Sequence, residues 1–93
     1  MASANIVKIG SGFLAGGATI TKGWNNPPVK KVLGFWVAPR EMTADEVILG
    51  QTSFQITKVD SIMDQPNHFV VKVTVKNTST TGWDFELYMS YLS

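Results

Sequence analysis

Two runs of strict alternation near the C-terminus constrain this chain more than any other feature. In FVVKVTV, Phe69, Val71, Val73 and Val75 fall on one face, and Lys72, Thr74 and Lys76 on the other. In WDFELYMSY, Trp83, Phe85, Leu87, Met89 and Tyr91 share a face opposite Asp84, Glu86 and Ser90. Successive side chains on a strand point to opposite sides, so each run has one face to bury and one to wet. A short polar loop containing Asn77, Thr78, Ser79 and Gly82 joins them. This spacing predicts a β-hairpin, with a lysine directly across from one of the two carboxylates, Asp84 or Glu86.

The rest of the chain reads in the same period. ANIVKIG is a first strand, and GSGFLAGG a glycine-rich bend. ATITKGW is a second strand, stopped by two prolines that have no N–H for a ladder. VKKVLGFWVAP is apolar on both faces at its centre, as expected of a central strand covered on both sides, and Gly34 within it marks either a bulge or a close approach by a neighbour. SFQITKV is a fourth strand with Phe54, Ile56 and Lys58 on one face, followed by the loop DSIMDQPN. Thr43 and Glu46 have capping-box spacing, so one short helical turn is expected before Gly50. Six strands with at most that one turn make an all-β fold, a small antiparallel β-sandwich. Residues 1–93 form a single domain, with residues 1–17 as a glycine-rich N-terminal arm available for assembly.

Composition enters as a set of exclusions. The charged share is 16%, below a typical ~25%, and net charge is +1 without blocks. Nucleic-acid binding needs clustered cation, so no nucleic-acid partner is expected. Lys8 and four nearby glycines interrupt the N-terminal apolar stretch, so neither a signal peptide nor a membrane-inserting segment is expected. The expected setting is soluble: cytoplasmic, non-classically exported or particle-associated. A chain of 93 residues with 11% aromatics and no cysteine has little interior and no disulfide staples. Oligomerisation is the usual substitute, and a homo-oligomer is expected.

Candidate chemistry is sparse. Asp84 and Glu86 stand two apart on a strand, about 6.5–7 Å from each other, superficially like a hydrolase pair. Exposure and a facing lysine leave neither with a source of the raised pKa that a general acid needs, so no enzyme activity is expected. His68 is the sole histidine and there is no cysteine, so one chain builds no usual zinc site; neither metal nor cofactor is expected. Asn77-Thr78-Ser79 is formally a glycosylation sequon, and is read as turn chemistry. Trp83 is read as a plug closing the sandwich beneath its loop. Trp24, Asn25 and Asn26, just before Pro27 and Pro28, place a flat ring beside two rigidly presented amides. Sugar recognition uses that combination, although Trp24 equally suits a core end or a subunit contact. Arg40 and Tyr88 are added to these three as candidate carbohydrate-binding residues.

Two segments resemble the H-type lectin family: ATITKGWNNPPVKKVLGFWV, and FVVKVTVKNTSTTGWDFELYM with its Asn-x-Thr-x-Thr-Gly-aromatic turn. The resemblance implies a six-stranded antiparallel sandwich that forms trimers, with galactose or N-acetylgalactosamine bound at subunit boundaries. The family's sugar-site residues are not matched in this chain. Two functions therefore stand as expectations. One is a non-catalytic, lectin-like carbohydrate-binding module acting as a homo-oligomer, a trimer by the resemblance. The other is a structural or assembly protein without a small ligand, such as a particle-decorating, tail-fibre or interface-forming domain of a viral or phage particle.

Overall fold

The computed structural model describes residues 4–25, 31–47, 50–66 and 68–92. Six strands follow in order: β1 (Ala4–Leu14), β2 (Thr19–Asn25), β3 (Lys31–Pro39), β4 (Phe54–Gln65), β5 (His68–Asn77) and β6 (Trp83–Leu92). They form two three-stranded antiparallel sheets, β1-β6-β3 and β2-β5-β4, the all-β sandwich that the alternation predicts. Among the described residues, no helix is long and apolar enough to cross a membrane.

The predicted hairpin is overturned. β5 and β6 belong to different sheets and face one another across the sandwich. Val73, Val75, Phe85 and Leu87 are buried in one cluster because the two strands stack their apolar faces, which needs the same alternation a hairpin does. The Lys72/Lys76 ion pairs with Asp84 and Glu86 go with it: Lys72 and Lys76 sit in register with Asp60 and Gln55 on β4. Among the described strands, the one hairpin is β4–β5. Every other connection crosses from one sheet to the other.

Three further strand readings change. β3 is an edge strand, not a central one, and its doubly apolar centre leaves Trp36 on the outer face. β1 runs through the glycine-rich stretch to Leu14, so residues 4–14 are part of the sheet and not a free arm. Gly12 lies over Phe85, where a Cβ would meet the ring at 3.5 Å, and the register shift between Lys8 and Gly10 brings it there. β4 extends through most of the expected loop to Gln65, and a register shift between Ile56 and Lys58 turns Lys58 away from the Phe54/Ile56 face. Of the two readings of Gly34, the bulge is present, as a shift between Val32 and Gly34.

Thr43 and Glu46 form a single turn, not a helix. Glu46 N–H donates to Thr43 O at 3.1 Å, while Thr43 N–H and its hydroxyl both donate to Glu46 Oε1, at 2.8 and 2.9 Å. The turn does not propagate because the neighbouring apolar side chains, Met42 and Val47, are exposed and have no face to bury. In the β1–β2 connection, Ala18 N–H donates to Ala15 O at 3.0 Å and Gly17 has φ 78°, the positive value a type II turn needs there.

The loop after β5 is organised by Asn77, which is fully buried. Its Nδ2 donates to Leu14 O at 3.0 Å and to Thr81 O at 2.9 Å, and its Oδ1 accepts from Ser79 N–H at 2.9 Å. The turn-chemistry reading therefore holds, and burial leaves no room for a glycan on this amide.

The interior is unevenly filled. Phe85, Leu87, Met89, Val73 and Val75 are almost completely enclosed. Val7, Val59 and Met63 lie on inner faces by register, yet remain 38%, 47% and 63% exposed. The radius of gyration is 15.1 Å, against about 12 Å for a compact chain of this length. The sandwich is long and open at its edges.

Candidate outer-face binding site

Burying one face of β6 commits its other face, Asp84, Glu86, Tyr88 and Ser90, to the outside of the β1-β6-β3 sheet. Antiparallel register then arranges that surface in rows. Gly34, Ser90 and Ile6 make one row, and Trp36, Tyr88 and Lys8 the next. Ala38, Glu86 and Ser11 follow, and the row beyond them pairs Asp84 with Phe13.

The second row is the chemical centre. Trp36 is 61% exposed, and its ring centroid lies 5.4 Å from that of Tyr88, with the planes tilted by 32°. Small residues on either side, Gly34 and Ser90 on one and Ala38 and Ser11 on the other, leave Trp36 standing clear, while Tyr88 is half-buried. Gly34, Ser90, Ile6 and the two rings border a shallow hollow of about 180 Å³. The Tyr88 hydroxyl donates a short hydrogen bond to Glu86 Oε2. That bond, reinforced by partial burial and the carboxylate's charge, raises the Tyr88 pKa above the ordinary phenol value. The arrangement offers an aromatic face, a carboxylate acceptor held in place by a phenol, and Lys8 as a donor on the same row.

Arg40 lies at the end of this face but is already committed. Its Nε donates to Asp84 Oδ2 at 3.1 Å, and Nη1 and Nη2 grip both oxygens of Glu46 at 3.0 and 2.8 Å. Nη1 also donates to Glu41 O at 2.7 Å, and the guanidinium carbon sits 4.8 Å from the Trp83 ring centroid. These bonds, that to Glu46 first, raise the Arg40 pKa further. The same contacts hold the Glu46 carboxyl down at about 2, the Arg40 hydrogen bond contributing most and the Thr43 bonds next. Trp83 is half-buried under this cluster, on the Phe85/Leu87 face, and its Nε1–H donates to Arg40 O at 2.8 Å. It closes the end of the sandwich, as a plug does.

The residues singled out from the sequence do not converge. Trp24 stands on β2 in the other sheet, in register with buried Val71 and therefore turned inward at the edge, half-buried. Asn25 ends β2 opposite Val70; its side chain and the whole of Asn26 lie outside the described residues. His68 begins β5 opposite Gln65, and its side chain likewise lies outside them. Tyr88 is in the aromatic row, while Arg40 is paired near Asp84, four residues and roughly 13 Å further along β6. Sequence reasoning missed Trp36. The signal was present in Phe35-Trp36, because two adjacent aromatics on one strand point to opposite sides and only one of them can enter the core. Among the described residues, no group of three histidines or carboxylates is placed to hold a metal ion.

Fold and surface together define a small antiparallel β-sandwich with an aromatic, carboxylate-bearing platform on the outside of one sheet. Comparison with protein-family models, with curated proteins and with solved structures finds no match.

Proposed function

We propose that this chain is a non-catalytic, lectin-like carbohydrate-binding module that works as a homo-oligomer, a trimer by its resemblance to H-type lectins. The observation that carries this is the Trp36–Tyr88 row with its tethered Glu86. A pyranose presents an apolar C–H face that stacks on an exposed ring, and hydroxyls around its rim that donate to a carboxylate. Trp36 supplies the ring, Glu86 the acceptor and Lys8 a donor, while the small neighbours let a flat ligand lie down. Tyr88 orients Glu86 by its hydrogen bond.

A glycan array tests the reading. Specific sugar binding weakened roughly tenfold or more by Trp36→Ala, with the far-ultraviolet spectrum unchanged, is the expected result. Binding lost in Trp24→Ala and kept in Trp36→Ala moves the site to the end of β2.

A second reading, an assembly protein without a small ligand, is favoured by the openness of the sandwich. Val59 and Met63 face inward by register and are nonetheless exposed, as subunit contacts are in an isolated protomer. No sugar binding, together with a defined higher assembly, selects this alternative.

A further inference from the structure

β4 is the outer strand of the β2-β5-β4 sheet, hydrogen-bonded to β5 on one side. Strands this long are usually protected along a free edge by prolines, bulges or like charges, since their open N–H and C=O groups invite another strand. β4 has register shifts between Ile56 and Lys58 and between Met63 and Gln65. Between them, residues 58–63 pair residue for residue with β5 and contain no proline. Val59, Ile62 and Met63 in this stretch are all exposed. Its two charges are opposite: Lys58 Nζ lies 3.5 Å from Asp60 Oδ2, on the outer face.

We propose that β4 pairs with β4 of a second copy of this chain, antiparallel about a two-fold axis through Val59, so that residues 58–60 of the two copies lie opposite one another. The charge pattern favours this register over a slip of one residue either way. A two-fold axis perpendicular to the sheet places residues equidistant from Val59 opposite each other and on the same face. Lys58 then meets Asp60 of the partner subunit, Asp60 meets Lys58 of the partner subunit, and the two Val59 side chains meet on the axis. A slip of the axis by one residue either way sets Asp60 against Asp60 or Lys58 against Lys58, and like charges directly opposite are destabilising. The register shift between Ile56 and Lys58 limits the pairing to this short segment, because residues 61–63 would otherwise face residues 57–55 across it, giving a closed pair and not a ribbon. The product is a continuous six-stranded sheet, β2-β5-β4-β4-β5-β2.

This rests on the homo-oligomer part of the proposed function and not on sugar binding. Because the contact is two-fold, it makes a dimer alone, or a hexamer where protomers also form trimers.

Native mass measurement and sedimentation at micromolar concentration test it. The wild-type chain is expected as an even-numbered species that weakens as salt is added. Lys58→Glu sets two carboxylates against each other and is expected to raise the dissociation constant roughly tenfold or more. K58E/D60K/K72E reverses all three charges and keeps the Asp60–Lys72 cross-strand relation within the protomer, so it is expected to restore association. Lys58→Gln, neutral at an exposed site, is expected to fall between wild type and K58E without any question of folding. An odd-numbered oligomer indifferent to K58E overturns the β4 contact and leaves oligomerisation standing. A monomer overturns both. A triple variant that folds but associates no better than K58E removes the charge register.

Discussion

Replacing Asn77 with alanine is the most demanding test of how this fold is held together. The buried amide ties the end of β1, the end of β5 and the following loop to one another. Its backbone does the same for the β1–β2 turn: Asn77 N–H donates to Ala18 O, and Asn77 O accepts from Gly17 N–H, both at 3.0 Å. Alanine keeps the backbone bonds and deletes the side-chain ones. Thr81 O retains a donor in Ser79 Oγ at 3.0 Å, but Leu14 O and Ser79 N–H lose their bonds to the amide. At about 1 kcal/mol for each net hydrogen bond, and more where a buried group is stranded, the loss is about 2–4 kcal/mol. A domain of this size has roughly 5–14 kcal/mol in all, so Tm should fall on the order of 10–25 °C. Urea unfolding at fixed protomer concentration measures the change, with the slope m checked against wild type. A loss below about 1 kcal/mol at unchanged m would refute the view that this amide organises the loop. Asn77→Asp sharpens the test, because it turns an oxygen toward Leu14 O and Thr81 O in place of two N–H donors. Those carbonyls raise the folded-state pKa of the introduced carboxyl above its unfolded value. The variant is therefore least stable above the folded-state pKa, and recovers as pH falls through that value toward the unfolded one.

Three other outcomes are expected. Glu46, held at about 2 by Arg40 and Thr43, contributes to the folded state above its unfolded carboxylate pKa, and that contribution is lost as pH falls toward 2; a carboxyl-carbon NMR titration follows it, and an ordinary midpoint for Glu46 counts against the Arg40 clasp. Tyr88 should ionise above the ordinary phenol range by absorbance at 295 nm, and Glu86→Gln should bring it down; the tethered-acceptor geometry fails if Glu86→Gln leaves that titration unmoved. Gly16→Ala places a Cβ 2.4 Å from Thr80 O, a backbone clash, so a loss on the order of 1–3 kcal/mol in urea is expected, and a neutral result argues against that close approach.

Which faces are buried was legible from the sequence, and which strands are neighbours was not. Alternation states that Val73 and Phe85 point into a core; it does not state whether β5 and β6 lie side by side or face to face. Both satisfy the same pattern, and a short polar loop spans either. Glycine misled in β1, where Gly10 and Gly12 continue the strand and do not break it. A doubly apolar strand misled in β3, because its second apolar face is the exposed Trp36 surface. Arg40 stood among the candidate carbohydrate-binding residues, and only tertiary structure shows it occupied by Asp84 and Glu46.

β6 links these points. Its inner side chains, Phe85, Leu87 and Met89, are fully enclosed, and its outer ones run through every row of the platform. It is also the centre of its sheet, with β1 and β3 pairing to it from opposite sides. Those two strands come from early in the chain and β6 from its end, so no local hairpin can preform this sheet. The platform therefore exists only when the C-terminal strand is inserted and the core is closed behind it. A ligand that binds the Trp36–Tyr88 row must then bind the folded state alone, and should raise unfolding stability by RT ln(1 + [L]/Kd), about 2.7 kcal/mol at a hundredfold excess over Kd. A sugar bound on the Trp24 side would touch β2 and the opposite sheet. Loss of that stabilisation in Trp36→Ala, with Trp24→Ala still responding, thus locates the ligand without a structure of the complex.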